Sequence, residues 1–202
     1  MGSSTKLKFR VEISLVDVLK PTDILKNEHI EIKKALSILN VIVEKIESSE
    51  KVSIEDLEKI INFIRIFADK CHHGKEEKIL FPKLEEAGIP RYGGPIGVML
   101  MEHEEGRRYV KNMVENIENL KKGVETALDI FKDNAVNYVA LLENHIWKED
   151  NILFHLADQH ISPSKQEELL LIFEEFEEKI IGEEHEKQLE ALRKLEETYL
   201  KK

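Results

Sequence analysis

The sequence predicts an all-α protein: an up-down-up-down four-helix bundle with an additional C-terminal helix and a short strand-like arm at the N-terminus. Three observations favour this class. Apolar residues recur every three to four positions from residue 22 onward, which is the period of an amphipathic helix. Short segments containing Gly, Pro and Ser interrupt that pattern. The 202-residue chain has the length of one domain that can bury a full core.

The predicted order of elements begins with the arm, residues 1–21. From Leu7 to Leu15 apolar and polar side chains alternate, which is the period of a strand. The helical bundle is expected over residues 22–202, with the fifth helix starting at about residue 163. Its helices are separated by predicted turns near residues 48–52, 87–95, 123 and 162–164.

The arm also predicts an assembly. A single strand leaves backbone donors and acceptors unpaired along its edges, and an all-helical domain offers it no sheet. We therefore expect residues 1–16 to pair with the same segment of a second chain and to support a homodimer. The alternative is an arm that lies against its own bundle.

Composition and charge exclude several classes of protein. A net charge of −10 and a pI near 5.4 argue against nucleic acid and against anionic membranes as partners. Cys71 is the one cysteine, which excludes an internal disulfide and fits a reducing compartment, so a cytoplasmic location is expected. No apolar run approaches the roughly 20 residues of a membrane span.

An internal repeat identifies the candidate site. The segment HHGKEEKILF (72–81) aligns with HIWKEDNILF (145–154), and Glu-His dipeptides precede them at similar offsets, at His29 and at His103. Residues four apart share a helix face. The repeat therefore pairs His72 with Glu76 in one half and, in the same way, His145 with Glu149 in the other. His73 aligns with an isoleucine, so the shared pattern does not require it.

Five histidines are predicted to lie at one height in the bundle. Residues equidistant from a turn lie side by side in antiparallel helices, and the midpoint of each consecutive pair falls in or beside a predicted turn. Any one of these histidines alone would more often be a surface residue or a hydrogen-bonded core residue. Together they predict a cluster. Its members are His29, His72, His103, His145 and His185.

The chemistry of the cluster points to metal. Imidazoles and carboxylates buried together are costly unless something neutralises and orders them. There is no cysteine pair for structural zinc, and mixed imidazole and carboxylate ligands suit iron or manganese. Seven ligands exceed the need of one ion, so Glu76 and Glu149 are expected to bridge two. The ferritin-like pattern, two Glu-x-x-His pairs, is absent.

From about residue 23 to about residue 192, the sequence resembles hemerythrin-like proteins of the HHE cation-binding family. The resemblance rests on Glu28-His29, HHGKEEKILFP, GGPIGVMLMEHEEGR and HIWKEDNILF. It implies two non-haem iron ions, bridged by carboxylates and by an oxo or hydroxo group. The implied iron ligands are His29, His72, His103 and His145, with Glu76 and Glu149 bridging.

One departure from the family pattern matters. Oxygen-carrying hemerythrins have a His-x-x-x-His on the third helix, and Met99 occupies the first of those places here. By its spacing, His185 on the fifth helix is expected to supply the missing imidazole. Its predicted role is as a ligand of one iron.

Three functions fit such a site. The first is handling or sensing of O₂, nitric oxide or peroxide, so the expected partner is a small diatomic ligand or peroxide. The second is an oxidoreductase that reduces peroxide or nitric oxide or repairs iron clusters. The third is a protein that simply holds iron. Loss of the histidine at position 99 disfavours simple oxygen carriage, and the sequence does not decide whether the protein is an enzyme.

Overall fold

The computed structural model describes residues 19–201, and within that range the protein contains helices and no strand. Four long helices form the bundle, and two more pack on it. The first is α1 (Pro21–Glu47), and the third is α3 (Pro95–Lys121). The second and fourth, α2 and α4, are each built of consecutive α-helical and π-helical segments. Those of α2 are Ile54–Phe63, Ile64–His73, Glu76–Leu80 and Phe81–Glu86; those of α4 are Ala127–Lys148, Glu149–Leu153 and Phe154–His160.

The apolar core is divided in two, and this division positions the site. One cluster of buried side chains lies at the end of the bundle that contains the α1–α2 turn and includes Ile42, Phe63 and Phe131. The other lies at the opposite end and includes Phe81 and Phe154. On α1, α2 and α3 the predicted ligands fall between the two sets of apolar positions. On α4, His145 lies beside Ile146, the last α4 residue of the first cluster, and Glu149 follows it. The histidines and glutamates are therefore held in a layer with packed hydrophobic side chains on both sides.

The predicted single C-terminal helix is wrong in one respect. The structure has two helices there, α5 (Pro163–Ile180) and α6 (Glu184–Tyr199). Between them Gly182 adopts a φ of +53°, a left-handed conformation that glycine tolerates without steric cost. After this turn α6 packs against α1 and the first half of α2. The residues of α6 therefore do not continue the line of α5.

The N-terminal arm falls largely outside the described residues. The predicted strand over Leu7 to Leu15 lies there entirely, and the homodimer stays a prediction. The helical start can be placed: α1 begins at Pro21, whose missing N–H suits the first position of a helix. None of the helices between residues 19 and 201 is long and apolar enough to cross a membrane.

Candidate metal centre

Four histidines from four helices meet in pairs between the apolar clusters. The Nε2 atoms of His29 and His72 are 3.0 Å apart, and those of His103 and His145 are 3.1 Å apart. Each of these side chains is about 1% exposed. A neutral imidazole carries one ring proton. Where that proton is on Nδ1, both Nε2 atoms of a pair present lone pairs to the same point, as shared binding of a metal ion requires.

Two fully buried glutamates lie between the histidine pairs. Glu76 has its oxygens 3.7 Å from His72 and 3.5 Å from His103, so it reaches both pairs. Glu149 does the same, with oxygens 3.2 Å from both His29 and His145. Each glutamate begins a π-helical segment, whose i→i+5 turns are rare and frequent at functional sites. Carboxylates so placed can bridge two ions.

The cluster divides into two candidate ion sites. In each, four ligand atoms lie within 4.8 Å of one another and all four residues are buried. Glu76 belongs to both groups. The first group is His29, His72, Glu76 and Glu149, and the second is His73, Glu76, His103 and His145.

The residues fit metal ions because the glutamates are otherwise unsatisfied. Among the described residues, none of the four carboxylate oxygens of Glu76 and Glu149 accepts a hydrogen bond. Burial, and then the neighbouring Glu149, raises the pKa of Glu76 well above its ordinary value. Burial acts in the same sense on Glu149, but His145 and His29 outweigh it and hold its pKa well below the usual range. Orphaned buried acceptors of this kind are rare in proteins.

Each of the four histidines is oriented by a carboxylate on its other nitrogen. The carboxylate lies outside the cluster and accepts a hydrogen bond from Nδ1–H, which leaves Nε2 free to bind an ion. This is the usual arrangement around metal-binding histidines. The contacts are His29 to Asp150 (2.7 Å), His72 to Glu28 (2.9 Å), His103 to Glu77 (2.7 Å) and His145 to Glu102 (2.9 Å).

The outer layer repeats the internal symmetry of the sequence. Each orienting carboxylate also contacts one cation: Glu28 contacts Lys75, Glu102 contacts Lys148, Glu77 contacts Arg107, and Asp150 contacts Lys33. Lys75 and Lys148 directly precede Glu76 and Glu149, so the repeat encodes these contacts too. The halves differ in burial, since the Lys75 side chain is fully buried and that of Lys148 is 29% exposed.

His73 is a functional candidate that the repeat failed to select. It is buried, and its ring stacks on His103 with centroids 3.9 Å apart. Burial, and then His103, lowers its pKa to about 3, which keeps it in the neutral form that binds metal. Its Nδ1 lies 3.4 Å from the Asp69 carboxylate. The available signal was the doubled histidine itself, together with a carboxylate one turn earlier.

His185 is the one predicted ligand that the structure does not bring to the cluster. Its Nδ1 lies 2.8 Å from Glu177, and its ring packs edge-on against Phe67 with centroids 5.1 Å apart. Glu177 raises its pKa above the ordinary value. The physical reason is the turn at Gly182, because the spacing argument assumed one straight fifth helix. His185 instead forms a small group with Cys71 and Glu177.

A comparison with known protein families matches the part of the chain that contains the two candidate ion sites. The family model described as the hemerythrin HHE cation binding domain matches residues 20–157. The chain belongs to this hemerythrin HHE family. The matched region includes α1 to α3, α4 as far as residue 157, and every residue of the two candidate ion sites, whereas α5 and α6 lie beyond it.

The curated relatives carry no functional description. The chain is similar to the uncharacterized protein Rv1995 of Mycobacterium tuberculosis and the uncharacterized protein Mb2018 of Mycobacterium bovis, with 24% identity over 168 residues in each case. The alignment covers 83% of this chain and 65% of each relative. No solved structure matches the chain. Membership of the hemerythrin family establishes a helical protein with a cation-binding domain.

Proposed function

We propose that the protein binds two iron ions in this cluster and handles O₂, nitric oxide or peroxide there. The observation that supports this most strongly is the pair of buried glutamates whose four oxygens lack donors while imidazole nitrogens surround them. Mixed nitrogen and oxygen ligands suit iron. A pair of iron ions would supply reversible electron transfer and open positions for a small ligand.

The protein's own residues would hold the ions and fix the orientation of the imidazoles. His29, His72, His103 and His145 would be the nitrogen ligands, with Glu76 and Glu149 as bridges. The packed apolar layers cover the site along the bundle axis on both sides. The outer carboxylates hold the Nδ1 protons, so each ring presents a lone pair inward.

Anaerobic reconstitution with ferrous iron tests the proposal. We expect about two ions per chain by elemental analysis, and absorption changes when O₂, peroxide and nitric oxide are added separately. A change that reverses on removing the gas would assign ligand binding, whereas rapid bleaching with product formation would assign an oxidoreductase. Fewer than two ions after reconstitution, or no response to any of the three, would contradict the proposal and favour simple iron holding.

We further propose that His73, rather than His185, supplies the imidazole that Met99 withholds. The variant His73→Leu should lose about one ion per chain or weaken its affinity at least about tenfold, since even outer-layer changes cost that much. His185→Leu is the matched control. It should keep both ions, because His185 lies outside the cluster and contacts Glu177 instead. Metal analysis of both variants after dialysis against a weak chelator measures this. Loss of iron in His185→Leu alone would reverse the assignment.

A further inference from the structure

An open groove between α2 and α3 reaches the second candidate ion site. It encloses about 620 Å³, and both His73 and His103 line it. This volume lies within the usual range of small-molecule sites. From His103 the groove follows α3 to Val114, which is roughly 16 Å at 1.5 Å per residue. A diatomic ligand needs far less space, so the groove has room for a larger molecule.

The internal repeat explains why the groove opens on this side of the bundle. Three of its lining positions, Asp69, His73 and Gly106, correspond to Leu142, Ile146 and Ile32 in the other half of the repeat. Those three aliphatic residues are buried in the core. Smaller or more polar residues on the α2–α3 side therefore leave space where the α4–α1 side is filled.

The glycine in this set is not required by the backbone. A Cβ added at Gly106 would meet its nearest atom, on Tyr138, at 3.5 Å, which is ordinary van der Waals contact. Gly106 lies in the middle of α3, where glycine is less favourable than alanine. The surroundings therefore leave room for a Cβ here, and its absence adds to the space along the groove that Gly106 lines.

The rim of the groove is cationic, although the protein has a net charge of −10. Arg65, Lys70, Arg107 and Lys111 line it, against the carboxylates of Asp69 and Glu115. Arg107 is fully engaged by Asp69, Glu77 and Glu104. Within residues 19–201, neither Arg65 nor Lys70 has a carboxylate within ion-pair distance. Lys70 does interact with Glu184 of α6, whose pKa is lowered first by Lys187 and also by Lys70. A local excess of positive charge of this kind attracts anions against the overall field.

The floor of the groove is apolar. Val110 and Tyr138 are buried there, and Ile66 and Val114 are partly exposed beside them. An inorganic anion would leave this surface uncovered, and an uncharged hydrocarbon would leave the rim without a partner. We propose that the groove binds an organic anion with an aliphatic chain, namely a medium-chain carboxylate, next to the His73 side of the metal centre. This proposal deepens the proposed function, because it names a class of substrate for the same centre.

Calorimetric titration of the full-length protein with octanoate tests the inference. We expect one saturable site, with 1-octanol and acetate each binding at least about tenfold more weakly, because each lacks one of the two interactions. Octyl phosphate binding more tightly than octanoate would overturn the assignment to carboxylates. If 1-octanol or acetate bound as tightly as octanoate, a site that uses both the cationic rim and the apolar floor would be ruled out.

Variants locate the binding site. Arg65→Gln/Lys70→Gln should weaken octanoate binding about tenfold or more, since two charge-assisted contacts are lost. Lys51→Gln/Lys122→Gln removes the same charge at exposed positions elsewhere and should bind normally. Gly106→Ile copies Ile32 and should fill the groove, with thermal unfolding as a check on its folding. Unchanged octanoate affinity in the Arg65/Lys70 variant would overturn the proposal.

The titration distinguishes failure of the groove proposal from failure of the proposed metal function. The titration is run on the iron-loaded protein and on the same protein after chelation. Normal iron content without octanoate binding would sink the groove proposal alone. Octanoate binding in a protein that takes up no iron would sink the proposed metal function and leave the groove assigned.

Discussion

Replacing Glu76 with glutamine should abolish the stabilisation that metal gives this protein. A ligand that binds only the folded state adds about 4 kcal/mol when its free concentration is about 1,000 times its Kd. For a chain of this size that amounts to an increase of about 10 °C in Tm. The wild-type protein should show this difference between its iron-loaded and chelated forms. Glu76→Gln should not, because the bridge is lost.

In the chelated protein, Glu76→Gln should no longer be less stable than the wild type. Burial and Glu149 raise the pKa of Glu76, so its ionised form is disfavoured in the folded state. The folded protein therefore loses stability as pH rises above about 4.5, the ordinary pKa of glutamate. Glutamine has no such penalty. Glu76→Gln should thus be at least as stable as the chelated wild-type protein at pH 7, and the difference should vanish in acid.

Glu77→Gln is the matched control. Glu77 is the next residue along the chain, but it lies outside the cluster and accepts hydrogen bonds from Nδ1 of His103 and from Arg107. It should keep both ions, with affinity lowered about tenfold. Thermal unfolding with and without chelator, together with metal analysis, compares the two variants. If Glu77→Gln lost more metal than Glu76→Gln, the alignment of the repeat would be at fault.

The internal repeat explains why most of the cluster could be anticipated from sequence. Two helical hairpins of one design must present equivalent residues at equivalent heights, so His72 and Glu76 implied His145 and Glu149. The structure brings these four together with His29 and His103. The four bundle helices follow from apolar periodicity for the same reason, since each must bury one face.

Features that break the repeat could not be anticipated in this way. His73 corresponds to Ile146, so an argument from shared residues discarded it, although its neutral imidazole faces His103. His185 was placed by extending a helix across Gly182, where the backbone turns. The spacing of apolar residues indicates which face of a helix is buried, but it does not indicate where the chain turns between two helices.

The burial of Lys75 also depends on the C-terminal helices. In the chain repeat Lys75 and Lys148 are equivalent, but Phe173 of α5 lies 5.9 Å from the Lys75 ammonium. Lys75 contacts two carboxylates, Glu28 and Glu177. Burial alone would lower its pKa, yet Glu28 and its other partners outweigh burial and raise it. Lys75 therefore remains charged in the interior.

Lys75→Met should be strongly destabilising. Removing one partner of a buried ion pair leaves the other charge uncompensated and costs about 3–5 kcal/mol. Glu28 would lose its cation while still accepting the hydrogen bond from Nδ1–H of His72. Burial already raises the pKa of Glu28. For a chain of this length the fall in Tm should be about 6–20 °C. Metal affinity should fall as well, because Glu28 orients a ligand.

Lys148→Met is the internal comparison, since it removes the equivalent contact to Glu102 from the other half of the repeat. The Lys148 side chain is 29% exposed, so water can solvate Glu102 when the cation is gone. Such partly exposed pairs contribute at most about 1 kcal/mol. Chemical unfolding of both variants in chelator separates the ion pairs from metal binding. Equal losses would mean that the two lysines are buried alike in solution, and that α5 does not cover Lys75 as the structure has it.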